Sequence, residues 1–195
     1  MTDKNTLDRR VAVKHILTGR GDALTVSSLG GPSYDVAAVQ NDFAHDFPLG
    51  GAMGQAAITG LGLALSKPKR RVMVFAGDGE MLMSLGALAT IGAEQPANLA
   101  IVVIDNEHYA ETGMQRTHTG RGVDIAAVAA GCGFATVRTV RTIADLEEAT
   151  PLILSAPGPV FATLKVSSDV GPLFPRNRDG VLQKAQFRRA LLGHS

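Results

Sequence analysis

One cysteine, Cys132, stands in a chain of 195 residues. A single thiol cannot close a disulfide within the chain, and it cannot build an iron–sulfur cluster or a cysteine-rich zinc site. Set between Gly131 and Gly133, it reads as a small buried residue. Charge of one sign is lacking too: 19 Lys and Arg against 18 Asp and Glu leave a net charge of +1. That balance offers no basic surface to nucleic acid. Long hydrophobic runs are also missing. The apolar stretches are short and broken by glycine, so none reads as a membrane span. The opening MTDKNTLDRR is polar and has no apolar leader core, which predicts a cytoplasmic protein. No internal repeat, low-complexity tract or charged tail is present.

What is there is an ordinary globular balance, with 45% apolar and 19% charged residues. The length suits one domain with a real core, and no boundary interrupts residues 1–195. Glycine is abundant, at 22 residues. Many close backbone approaches are implied, as around a phosphate.

The pattern alternates. Thr6 to Leu17 has helical apolar spacing. Leu24 to Leu29 reads as a strand ending in Gly30-Gly31-Pro32, and Ser33 to Val39 as a short helix. Gly50 to Leu65 (GAMGQAAITGLGLAL in its core) reads as a helix of small residues. There follow strand 72–76, helix 81–92, strand 99–104, a loop through Arg121, helix 124–131, strand 134–140, helix 142–155 and strand 160–166. A Pro/Gly-rich loop from Gly171 to Arg178 precedes a final helix, 181–192. Such alternation predicts an α/β fold: a single doubly wound parallel sheet with helices on both faces. Ligands in such sheets sit at the carboxyl ends of the strands. Those ends are Leu29-Gly30-Gly31, Gly77-Asp78-Gly79 and Asp105-Asn106, all on one rim.

Gly77-Asp78-Gly79 follows an apolar run, and the residues after it have helical rather than alternating spacing. A strand–turn–helix is therefore expected, not a hairpin, and its helix start attracts anions. Position 82 is Leu82, so the third glycine of a dinucleotide fingerprint is missing, and the Walker lysine is missing as well. An aspartate beside a phosphate repels it unless a cation lies between them. Magnesium takes hard oxygen ligands and bridges carboxylates to phosphates. Asp78 and Asn106 beside a glycine turn fit a metal–diphosphate. The competing reading makes Asp78 a helix cap and Asn106 a turn residue.

Here the sequence resembles a known family. The stretch GDGEMLMSLGALATIG…NLAIVVIDNEHYAETGMQ, with Gly77-Asp78-Gly79 and then Asn106, is similar to the thiamine-diphosphate signature. Upstream, Gly51-Ala52-Met53-Gly54-Gln55-Ala56 resembles a second segment of the same enzymes. The resemblance runs from about Leu24 to Val166 and points to the 2-oxo acid decarboxylases acting on sulfopyruvate or phosphonopyruvate. It implies the diphosphate-binding domain of that fold, with thiamine diphosphate and Mg2+ as cofactors. Asp78 and Asn106 would bind the metal by side chain, and His108 by its carbonyl. Gly79 and Glu80 would give N–H groups to the diphosphate, with Gly30 and Gly31 lining the same pocket. Met53 would wedge between the cofactor rings, and Gly51 would help hold the aminopyrimidine. A methionine there also reads as plain core.

The cofactor acts as electron sink while a 2-oxo acid loses CO2. The family's activating glutamate sits on a separate pyrimidine-binding domain. Glu80 and Glu94 lie beside the diphosphate motif, the wrong place for that task. The resemblance thus implies a beta subunit needing a pyrimidine-domain alpha subunit, at least two of each, with no nucleic acid or membrane partner. The loop after Asn106 would face a small 2-oxo acid, with His108 and Glu111 the leading catalytic candidates. Gln115, Arg116, Thr117 and His118 could bind a second anionic group or form a solvated loop. Tyr109 reads as packing, and His15, His45 and His194 as structural. Asp105 stands where many relatives have asparagine. A carboligase or oxidoreductase subunit on the same domain is the alternative enzyme, and a non-catalytic cofactor-binding module the alternative class.

Overall fold

The computed structural model describes residues 7–40, 43–171, 174–175 and 177–193. Thr6, His194 and three positions of the expected 171–178 loop (172, 173 and 176) lie outside them. In chain order the elements are α1 (Arg9–Thr18), β1 (Leu24–Ser27), α2 (Gly31–Val39), β2 (Asp46–Pro48), α3 (Ala56–Ser66) and β3 (Val72–Gly77). Then come α4 (Asp78–Met83), α5 (Gly86–Glu94), β4 (Leu99–Asp105), β5 (His108–Tyr109), β6 (Gln115–Arg116) and α6 (Ile125–Gly131). The chain continues through β7 (Thr136–Val140), α7 (Ile143–Ser155), β8 (Val160–Lys165) and α8 (Gly180–Leu192).

Among the described residues, six parallel strands form one sheet in the order β2-β1-β3-β4-β8-β7. Central strands buried on both faces explain the unbroken apolar runs at 72–76 and 99–104. Alternate residues feed opposite cores. Val72, Val74 and Ala76 join α3, α5 and α6 on one face, while Met73 and Phe75 join α1, α2 and α7 on the other. Among the described residues, no helix is long and apolar enough to cross a membrane.

Local chemistry sets the element ends. Asp8 caps α1 by accepting the Val11 N–H at 2.8 Å. Asn98 Nδ2 donates to the Ala64, Lys67 and Arg70 carbonyls and closes the end of α3. Arg71 does the same for α7, reaching the Ile153 and Ala156 carbonyls.

Several expectations are corrected. The helix expected over Gly50 to Leu65 begins only at Ala56, because Gly54 takes a positive φ of 79° and Glu80 binds the backbone there. The expected helix 81–92 is two. One starts on Asp78 directly after β3, and the break at Ser84 and Leu85 precedes α5. The expected strand 24–29 stops at Ser27, since Leu29 and Gly30 already turn. The strand expected from 134 starts at Thr136, and β2 was not expected at all. The expected plain loop through Arg121 contains the β5–β6 hairpin and two short 3-10 turns. Cys132 is half-buried rather than enclosed, because it lies on the open turn that ends α6.

Two glycines mark tight contacts. A Cβ on Gly60 would overlap the Val74 side chain, and one on Gly92 would overlap the Cys132 carbonyl oxygen. The second neighbour is backbone and cannot step aside. Gly92→Ala should therefore cost about 1–3 kcal/mol, seen as a melting temperature lower by roughly 2–4 °C per kcal/mol. Gly62, in the same helix as Gly60, has open space around it. Gly62→Ala should instead add roughly 0.5–1 kcal/mol. Equal melting temperatures for the two variants would contradict the packing described.

Candidate functional site

Three adjacent strand tips build the site. The chain leaves β1 toward β2 on one side, while β3 joins on the other. The order reverses there, which is where open α/β sheets leave a ligand crevice. A cavity of about 140 Å³ occupies that rim. Gly30 and Gly31 line it from the turn after β1, and Asp78, Gly79 and Glu80 from the start of α4. Asn106, His108 and Glu111 line it from the segment after β4, and Met53 from the loop before α3. Gly51 is exposed and does not line it.

The glycines are there because side chains crowd them. Gly30 has a positive φ of 71° and lies against Glu111. A Cβ on Gly79 would overlap the ring of Tyr109, so that ring does pack, and it packs on the Gly77-Asp78-Gly79 turn. Met53 is half-buried in a loop rather than in the core.

Asp78 is 2% exposed. Thr117 Oγ1 donates to its Oδ2 at 2.5 Å, and Thr119 Oγ1 lies 3.1 Å from the same oxygen. Thr119 Oγ1 also lies 2.8 Å from Asp105 Oδ1. A hydroxyl has one proton, so two carboxylates share one donor. Burial raises the Asp78 pKa above the usual carboxylate value, the Thr117 hydrogen bond opposes this, and the Asp105 charge pushes it up further.

Asp105 is held in turn by Lys165, whose Nζ donates at 2.9 Å and also reaches Glu107 at 2.6 Å. Burial pulls the Lys165 pKa down, but its bonds to Glu107 and Asp105 outweigh this and leave it raised. The same bond lowers the pKa of Glu107. Glu107 has a left-handed φ of 62°, a strained backbone for a residue with a side chain. Its N–H donates to Asp105 Oδ1 at 3.1 Å, which helps hold that turn.

Asn106 Oδ1 accepts the His108 N–H at 3.1 Å, and His108 Nδ1 lies 2.8 Å from the Asn106 carbonyl oxygen. The imidazole is folded back on its own loop. Glu111, Gln115, Arg116 and His118 are exposed. Thr117 does not join them: it is fully buried on Asp78, which corrects its expected place facing the substrate. His15 is exposed on α1, and His45 packs edge-on against Phe43. Glu94 is exposed at the end of α5.

Four side chains escaped the sequence reading. Glu80 was expected to act through its N–H, but its carboxylate also accepts the Gly54 N–H at 2.7 Å and the Ala56 N–H at 3.0 Å. Thr119 joins Asp78 to Asp105, Lys165 ties Asp105 to Glu107, and Arg9 lines the cavity from α1. All four act across long stretches of chain, where local pattern carries no signal.

The donors suit a hard divalent ion. Among the described residues, no group of three or more His, Cys, Asp and Glu side chains could hold a metal. A ligand set here would be mixed: the Asp78 carboxylate, the Asn106 amide oxygen and a backbone carbonyl, all oxygens of the kind magnesium takes. A cation would also relieve the two crowded carboxylates. Glycine at these turns lets Glu111, Arg9 and Tyr109 pack directly on the backbone that borders the cavity.

Residues 34–163 match the family described as thiamine pyrophosphate enzyme, C-terminal TPP binding domain. The chain is 41% identical over 160 residues to sulfopyruvate decarboxylase subunit beta of Methanothermobacter thermautotrophicus, covering 82% of each chain. It is 43% identical over 145 residues to phosphonopyruvate decarboxylase of Streptomyces viridochromogenes, covering 74% of this chain but 36% of that longer protein. A solved thiamin diphosphate-dependent enzyme of Mycobacterium smegmatis has the same fold, with a TM-score of 0.72 at 24% identity, over 86% of this chain and 34% of that one. With the matched segment running from α2 into β8, the chain belongs to the thiamine pyrophosphate enzymes, as their C-terminal cofactor-binding domain.

Proposed function

We propose that this chain, as one domain of residues 1–195, is the cofactor-binding beta subunit of a decarboxylase that uses thiamine diphosphate and Mg2+. Its substrate is a small 2-oxo acid of the sulfopyruvate or phosphonopyruvate type. One observation carries the reading: Asp78, Asn106, the Gly30-Gly31 and Gly79 turns and Met53 all border one cavity at a strand-order reversal. Similarity over 82% of a sulfopyruvate decarboxylase beta subunit supports the subunit assignment.

When bound, the cofactor serves as the electron sink for loss of CO2. The chain's own residues bind and orient. Asp78 and Asn106 side chains and the His108 carbonyl hold magnesium. The Gly79 and Glu80 N–H groups and the Gly30-Gly31 turn receive the diphosphate. Met53 would hold the cofactor rings from the loop before α3, and Glu80 holds that loop. His108 and Glu111 line the cavity as the catalytic candidates, the His108 ring held on the Asn106 carbonyl. Pockets for ligands of this size are commonly ~300–1,000 Å³; a cavity of about 140 Å³ supports a site completed by another chain. Glu80 is committed to backbone and Glu94 is exposed at the end of α5. The family resemblance implies that the activating glutamate comes from a pyrimidine-domain alpha subunit, in an assembly of at least two of each.

Co-expression with such a subunit tests this. Release of CO2 from sulfopyruvate or phosphonopyruvate should require both chains, magnesium and thiamine diphosphate. Binding of cofactor without release from any 2-oxo acid would instead mark a non-catalytic module.

A further inference from the structure

Arg9 is the first residue of α1, far in sequence from every motif of the site. Its side chain is nonetheless 9% exposed and lines the same cavity as Gly30, Gly31 and Asp78. A Cβ on Gly31 would lie 2.6 Å from Arg9 Nη1, so the guanidinium rests directly on the glycine turn after β1. From behind, Nε lies 3.3 Å from Asp35 Oδ2. Asp35 is fully buried in α2 and also receives Arg10 Nε at 3.4 Å. The Asp35 contact occupies the inner edge of the fork. The Nη end remains over the turn.

That arrangement is built rather than incidental. A buried carboxylate at ion-pair distance restrains the guanidinium, so less side-chain freedom remains to be lost on binding. Arginine donates in a fork that matches tetrahedral oxyanions. The other charged groups bordering the cavity from α4 and from the segment after β4 are acidic or hydrogen-bonded to backbone, so Arg9 is its positive pole.

On the reading that this cavity takes thiamine diphosphate, we infer that Arg9 is a binding residue for a tetrahedral oxyanion. That oxyanion is either a phosphoryl group of the cofactor or the sulfonate or phosphonate tail of the substrate. Asp78 and Asn106 would hold magnesium at the strand tips, and Arg9 would bind the anion from α1, across the same cavity.

The test compares wild type with Arg9→Gln and with the double variant Arg9→Gln/Asp35→Asn, which leaves no unpaired carboxylate buried. Calorimetric titration of the reconstituted complex with Mg2+–thiamine diphosphate and with Mg2+–pyrophosphate reads binding apart from activity. Affinities for both should fall about 10–100-fold, and Arg9→Lys should recover part of the loss. That result assigns the cofactor phosphoryl group. Unchanged cofactor affinity, with KM raised about tenfold or more for the sulfonate or phosphonate acid but not for pyruvate in the reconstituted complex, assigns the substrate tail. If both stay at wild-type values while only the melting temperature moves, the inference is overturned and Arg9 is merely a partner of Asp35. Failure of wild type itself to bind the cofactor would refute the proposed function instead.

Discussion

Asp78→Ala should abolish magnesium-dependent binding of thiamine diphosphate. Asp78 stands directly after β3, nearly buried, with both threonine hydroxyls addressing the same oxygen. On the proposed metal assignment, alanine removes a ligand that Asp105 cannot replace, because Asp105 is already tied to Lys165 and Thr119. Even outer partners of a metal ligand are commonly worth ~10–100-fold in metal affinity, so loss of the ligand should weaken the cofactor by at least about 100-fold. The folded protein should survive, since the change also removes a buried charge crowded by Asp105. Titration with and without magnesium gives the readout. A variant that binds cofactor as wild type does, with the same magnesium requirement, would overturn the metal assignment. Thr119→Val should give a weaker version of the same loss, about tenfold, by loosening the aim of Asp78.

Glu80→Ala should produce a different pattern. It strips the acceptor from the Gly54 and Ala56 N–H groups, and the loop that presents Met53 loses its anchor. Hydrogen bonds to charged groups are worth about 1.5–3 kcal/mol each, so a stability loss of several kcal/mol is expected. Magnesium-dependent affinity should change little, because the diphosphate side is intact. Turnover in the reconstituted enzyme should fall about 100-fold, since small misplacements of positioning groups have effects of that size. Exchange of the proton on the cofactor's reactive carbon should slow in parallel, as it should for Met53→Ala. Glu80→Gln keeps one acceptor oxygen and should recover part of the loss. Normal exchange in Glu80→Ala would show that the anchor is dispensable.

Much of the frame is legible in the residues. Central parallel strands are buried on both sides, so β3 and β4 announce themselves as apolar runs, and the glycines and oxygens at their ends mark the ligand rim. Edge and long-range features are not legible in the same way. β2 is three residues, Asp46–Pro48, ending in a proline that suits an edge position. Its pattern is too short to separate from a loop. The start of α3 is set by a carboxylate 24 residues away in the chain, not by a local cap. Thr117 and Thr119 lie 39 and 41 residues from Asp78. Arg9 reads as one more charge on an amphipathic helix until the fold lays it on Gly31. Local pattern fixes periodicity; it carries nothing about which distant side chain a turn will meet.

The hairpin after β4 has a consequence for stability. Tyr109 sits on Gly79, Thr117 and Thr119 bind Asp78, and Lys165 clamps Glu107. The wall beside the Asp78 turn is thus held by the chain's own side chains, and its ordering entropy is offset within the fold. Substitutions that loosen this flap should therefore lower the melting temperature together with cofactor affinity, rather than affinity alone.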